Sequence, residues 1–127
     1  MSSTTWLKRS VVVMLFALTA NVALSLVGAA EAAKPKHTIK EVMTAAHKEK
    51  LLDKVVAGDA SDADKQKLLD LYISMIESQP KKGDAESWQK LAGAATMAAA
   101  KVVVGRDGAI EELKVASNCK ACHAVHK

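Results

Sequence analysis

From Thr38 to the C-terminus, apolar residues return every three or four positions in stretches separated by Gly, Pro and short polar runs. No β-alternation of useful length appears. That period belongs to helix faces and not to strands, so the chain is expected to be all-α. The stretches also carry their own ends. Thr38-Ile39-Lys40-Glu41 has capping-box spacing, the Thr38 hydroxyl accepting from the Glu41 amide while the Glu41 carboxylate reaches back. With Pro35 upstream, it predicts a first helix from Thr38 to Val56, stopped by Gly58. Ser61-Asp62-Ala63-Asp64 opens a second helix with acid in its first turn, favourable to the helix dipole. Leu68, Leu69, Tyr72, Met75 and Ile76 keep helical spacing until Gln79 and Pro80. Lys81-Lys82-Gly83-Asp84 is a loop ending in an N-cap, after which Trp88, Leu91, Ala92, Ala95, Ala99, Val102 and Val103 form a third stripe closed by Gly105 in the left-handed conformation. A fourth segment, with Ile110, Leu113, Ala116 and Cys119, runs from Asp107 almost to the end. Short links between four helices predict an antiparallel up-down-up-down four-helix bundle. One stretch is out of phase. At about 100° per residue, Ile39, Val42, Met43 and Ala46 share one face while Leu51, Leu52, Val55 and Val56 lie nearly opposite. Either the first helix kinks between His47 and Lys50, or its second half meets a different neighbour.

The segment before residue 33 is of another kind. A basic start with Lys8 and Arg9 precedes an apolar run from Val11 to Val27, interrupted by Thr19, Asn21 and Ser25. Ala30-Glu31-Ala32 then fits the small-x-small rule of a cleavage site, so residues 1–32 read as a secretory signal peptide and the protein as periplasmic or otherwise exported. An uncleaved anchor is the alternative, because the run approaches the 17–25 residues that span a bilayer. The cleavage-site residues and the polar interruptions favour removal, which leaves no stable membrane span and a single domain at residues 33–127.

Trp6 and Phe16 leave with the leader, so Tyr72 and Trp88 are the aromatics of the remaining 95 residues, and the net charge falls from +4 to +3. That charge is too modest for the concentrated basic face of a nucleic-acid binder. A domain this small buries only about 60–65% of its unfolded surface, and two aromatic rings add little core. Two cysteines make neither the disulfide framework of a small secreted domain nor a four-thiolate zinc site.

Their spacing points elsewhere. Cys119-Lys120-Ala121-Cys122-His123 is C-x-x-C-H, the attachment signature of c-type haem. Two thiols three residues apart lie on one side of a helix, where they can form thioethers with the two haem vinyl groups. His123, four residues after Cys119, presents an imidazole as axial ligand. Zinc would need two further ligands from a chain whose remaining histidines are His37, His47 and His126. A thioredoxin-type dithiol belongs at a helix start after a strand, whereas this pair is expected to end a helix in a strand-free chain. Covalent haem c also suits an exported protein, and a large macrocycle would supply the missing core.

With that motif in its last helix, the chain resembles the class II c-type cytochromes, four-helix bundles of the cytochrome c′ kind. The resemblance covers residues 33–127 through helix count, length and motif position. The family pattern places an aromatic residue where His126 stands, keeps a basic residue at the position of Lys127, and often carries an Arg that is missing between Ile39 and His47. The chain also resembles small exported single-haem proteins with a similar Ile39-Lys40-x-x-Met43 and Ala46-His47-Lys48 pattern. The resemblance implies electron transfer, with homodimers common among relatives.

Function turns on the sixth iron position. In an antiparallel bundle the end of the fourth helix lies level with the start of the first, which points to Ile39–His47. Met43, near the centre of the first apolar face, is the leading sixth ligand, and an ordinary core methionine is its alternative. His47, at the rim of that face, is the second choice; its pairing with Lys48 matches the family's Met-Lys. An open site, with Val42 or Ala46 over the iron, would instead give a five-coordinate haem binding nitric oxide or carbon monoxide. His126 reads either as a contact to a haem carboxylate or as a frayed surface residue. Ala92, Ala94, Ala95, Ala98, Ala99 and Ala100 keep the third helix thin enough for a porphyrin, although helix propensity explains such a run too. Lys81, Lys82, Lys114, Lys120 and Lys127 read either as a docking surface for acidic redox partner proteins or, as such lysines more often are, as simply solvated. Glu111 and Glu112, adjacent on a helix, point apart and make no acid–base pair. No nucleophile arrangement and no phosphate-cradling glycine loop is present. The expected protein is an electron carrier and not an enzyme, its one haem held by Cys119, Cys122 and His123 with Met43 or His47 opposite.

Overall fold

The computed structural model describes Ala33–Lys127, and the signal segment read at Met1–Ala32 lies outside the described residues. Along the described chain run α1 (Ile39–Val42), a π-helical turn (Met43–Lys48), α2 (Leu51–Ala57), α3 (Asp62–Glu77), α4 (Ala85–Val103), α5 (Ala109–Ala116) and α6 (Cys119–His126). No strand occurs among the described residues, as the missing alternation predicts.

The capping chemistry is where the sequence puts it. The Thr38 hydroxyl accepts from the Glu41 amide at 3.3 Å while Glu41 Oε2 accepts from the Thr38 amide at 2.7 Å. Ser61 and Asp64 form a second capping box at the head of α3. Asp84 accepts from the Ser87 amide at 2.7 Å to start α4. Gly105, at φ +70°, ends α4 with its amide on the Val102 carbonyl and that of Arg106 on Lys101, the paired bonds of a Schellman motif.

The out-of-phase stretch has an explanation in the backbone conformation. The predicted first helix, Thr38 to Val56, is broken at Lys50, a non-glycine residue at φ +62°. Just before the break the helix widens, the Glu49 amide bonding the Thr44 carbonyl five residues back. The two halves also meet different neighbours: α1 packs on α3, whereas α2 packs on α3 and α5. Both proposed causes therefore operate, and Val42, Ala46, Leu51, Leu52 and Val55 are all buried.

The predicted fourth helix is broken as well. It ends at Ala116, and Asn118, at φ −65° and ψ 102°, caps a new helix by accepting from the Lys120 and Ala121 amides at 3.1 and 3.2 Å. An asparagine whose side chain satisfies two orphan amides favours a helix start over continuation. Cys119 therefore heads α6 and does not close the fourth stripe.

The core lies where α3 and α4 face each other, extended by α5. Leu68, Tyr72 and Leu113 are at most 1% exposed. Thr96 Oγ1 donates to the carbonyls of Tyr72 at 2.9 Å and Ala92 at 2.8 Å, stitching α4 to α3. The small residues of α4 allow this approach: a Cβ at Gly93 would sit 3.3 Å from Ile76 Cδ1.

Candidate functional site

A cleft of about 460 Å³ opens between the π-helical turn, α3, α4 and the α5–α6 junction. Met43 and His47 line it from the turn, Tyr72 and Met75 from α3, Leu91, Ala92, Ala94 and Ala95 from α4, and Cys119, Cys122 and His123 from α6. All five residues singled out by sequence thus meet at one cavity, whose size falls in the range of small-molecule and cofactor sites. Val42 and Ala46 do not line it; they are fully buried in the core, so neither stands over the cleft.

The π-helical turn explains how Met43 and His47 share the cleft. Extra residues per turn widen the helix, and such turns recur at functional sites. With Val42 and Ala46 turned into the core, Met43 and His47 stay partly exposed at the cavity wall. The His47 ring stacks on Tyr72, centroids 6.1 Å apart and planes 25° from parallel. Burial holds the His47 pKa below its ordinary value, and the neighbouring His123 pushes it the same way against the weaker opposing pull of Asp53. The shift favours the neutral imidazole, the form in which a histidine can ligate a metal.

On the opposite wall, α6 packs on α4 and on no other helix among the described residues. Cys119 and His123 are exposed, Cys122 is half-buried, and both thiols are free. Burial, followed by the neighbouring Cys119, raises the Cys122 pKa. The expectation that the pair ends a helix is corrected here: Cys119 is the first residue of α6, because Asn118 breaks the preceding helix. Among the described residues no group of three or more His, Cys, Asp and Glu is placed to hold a metal ion.

Of the two readings of His126, the frayed surface residue is overturned. Its Nδ1–H donates to the Lys82 carbonyl at 3.0 Å, which leaves Nε2 to accept from the Ser87 hydroxyl at 3.1 Å. The ring meets Trp88 edge-on at 5.3 Å and 74°. Gly83, at φ +83°, gives the ring its room, since a Cβ there would fall 2.3 Å from Nδ1. His126 thus fastens the end of α6 to the α3–α4 loop. The sequence offered only its position three residues after His123, and the fold supplies its partners.

Tyr72 was read as core alone, yet it also lines the cleft, and its hydroxyl finds no hydrogen-bond partner among the described residues. Of the lysines, Lys114 is paired with Glu111 at 2.6 Å, and Lys101 with Glu112 at 2.7 Å, so the two adjacent glutamates serve different ion pairs. No helix among the described residues is long and apolar enough to cross a membrane. Comparison with protein-family models, curated proteins and solved structures finds no match for the chain.

Proposed function

We propose that the chain is an exported c-type cytochrome, similar to class II members, that carries single electrons between redox partner proteins through one covalently bound haem. The observation that carries this reading is the meeting of Cys119, Cys122 and His123 on one wall of an apolar cleft that Met43 and His47 also line. The residues present suit the group. Cys119 and Cys122, three residues apart, would hold the group through its two vinyl carbons, His123 in the same helix would donate to the iron, and the imidazole of His47 or the thioether of Met43 would be the second protein donor. When bound, haem supplies a one-electron ferric–ferrous couple.

The chain's own residues would do the rest. Thioether attachment would prevent loss of the group outside the cell, and protein donors from His123 and from His47 or Met43, kept in both oxidation states, would limit reorganisation. Met75, Leu91, Ala92 and Ala95 keep the cleft walls apolar, which sets the couple through burial. In this reading α1, the π-helical turn and α2 form the first leg of an antiparallel four-helix bundle, α3 and α4 the next two, and α5 with α6 the last. Homodimers follow from the resemblance, and a sizing column would measure them.

The test is the absorption spectrum of the purified exported protein, oxidised and reduced, with and without carbon monoxide, beside Met43→Ala and His47→Ala. Electron transfer predicts a low-spin spectrum indifferent to carbon monoxide, turning high-spin in one of the two variants. A high-spin parent spectrum that shifts with carbon monoxide would replace this reading with gas binding.

A further inference from the structure

Of the four histidines, two have occupied rings. His37 Nε2 meets Asp70 at 3.3 Å, and His126 uses both nitrogens, on Lys82 and Ser87. His123 is exposed, so water can serve it. His47 is the exception, because it is half-buried and neither ring nitrogen has a hydrogen-bond partner among the described residues. Polar groups withdrawn from water without a partner are costly, so this placement calls for an explanation. Unlike the enclosed Tyr72 hydroxyl and Trp88 Nε1, the His47 nitrogens are accessible, and the residue lines the cleft. Met43 differs: it is one of the apolar side chains packed against the core, and a thioether incurs no such penalty.

The His47 ring is also held. It stacks on Tyr72 with centroids 6.1 Å apart and planes 25° from parallel, within the reach of aromatic attraction. Tyr72 is a firm backing, 1% exposed in close-packed core, where side chains move little, and its carbonyl is tied to α4 by Thr96 Oγ1 at 2.9 Å. We propose that Tyr72 is a positioning residue, its ring face holding the His47 imidazole at the cleft wall so that His47, and not Met43, is the second protein donor. This rests on the haem reading and decides between the two donors which that reading leaves open.

The experiment uses the exported protein with its haem attached. His47→Ala is expected to turn a low-spin parent high-spin, and free imidazole to restore the low-spin spectrum. Tyr72→Phe keeps the stacking ring and should match the parent, whereas Tyr72→Leu should become high-spin in part or whole with its helical circular dichroism retained. In the haem-free chain, thiols reduced, nuclear magnetic resonance reads the stack itself: the Tyr72 ring current should displace the His47 ring-proton signals in the parent and in Tyr72→Phe. A His47→Ala protein that stays low-spin, or that imidazole does not restore, would overturn the donor assignment. Undisplaced His47 signals in the parent, or a Tyr72→Leu protein with the parent's spectrum, would overturn the positioning role. Each of these leaves the haem reading intact. A parent exported without haem would overturn both.

Discussion

Gly83→Ala tests whether α6, and with it Cys119, Cys122 and His123, is fastened through His126. The new Cβ would lie 2.3 Å from His126 Nδ1, 2.5 Å from Cε1 and 3.0 Å from the Val125 carbonyl. A ring tied to Lys82, Ser87 and Trp88 cannot yield without giving up those contacts. Two modest hydrogen bonds and an edge-on aromatic contact are together worth about 2 kcal/mol. Holding an alanine at φ +83° adds about 1 kcal/mol of backbone strain. Gly83→Ala should therefore cost about 3 kcal/mol in the parent but only about 1 kcal/mol in a His126→Ala background, a coupling of about 2 kcal/mol in a double-mutant cycle. Urea unfolding supplies the four free energies. Hydrogen exchange at the α6 amides supplies the local view, since undocking this short helix would speed exchange there before the core opens. Additive costs, or unchanged protection of Cys119–His126 in Gly83→Ala, would refute the clamp.

Other expectations are simpler. Lys50→Gly relieves a left-handed non-glycine residue at φ +62° and should raise stability by about 1 kcal/mol in urea unfolding; a loss would mean that Lys50 contributes more through its side chain than its backbone costs. The Asp64 carboxyl is held down at about 2, first by the Lys54 ammonium and then by the Ser61 amide and hydroxyl. Its folded pKa is depressed, so its stabilisation is complete above the ordinary value of 3.8 and disappears as the pH falls through about 2. Asp64→Asn should flatten the urea midpoint between pH 4 and pH 2, and an unchanged acid slope would exclude this origin. Ala95→Leu puts three more carbons at a cleft-lining position that is 4% exposed and should weaken hemin binding about ten- to a hundredfold while the helical circular dichroism is retained. Undiminished affinity would move the ligand away from α4.

Much of the local structure was legible because it rests on near neighbours. Thr38 with Glu41, Ser61 with Asp64, Asp84 and Gly105 act within three or four residues, so helix starts and stops could be read from spacing alone. C-x-x-C-H stands out for the same reason, since the motif occupies five consecutive residues. The two broken helices show the limit. The phase shift around His47 to Lys50 announced a defect, but its form depended on what lay on either side. Widening the turn and taking Lys50 left-handed let Val42, Ala46, Leu51 and Leu52 all be buried, at a backbone cost no propensity would predict. At Asn118 the cap that divides α5 from α6 was present in the sequence, and the apolar spacing through Cys119 hid it.

The sequence by itself determined the all-helical class, the capped ends of the helices and the identity of the five residues that meet at the cleft, because each depends on spacing and side-chain chemistry along one short stretch. Only the tertiary structure decided that Met43 and His47 face the same cavity as Cys119, Cys122 and His123. It alone also gave His126 partners in a loop some forty residues away and left the Tyr72 hydroxyl buried without one. Those outcomes depend on which helix faces come together in space, and burial, unlike spacing, is a property of the packed whole.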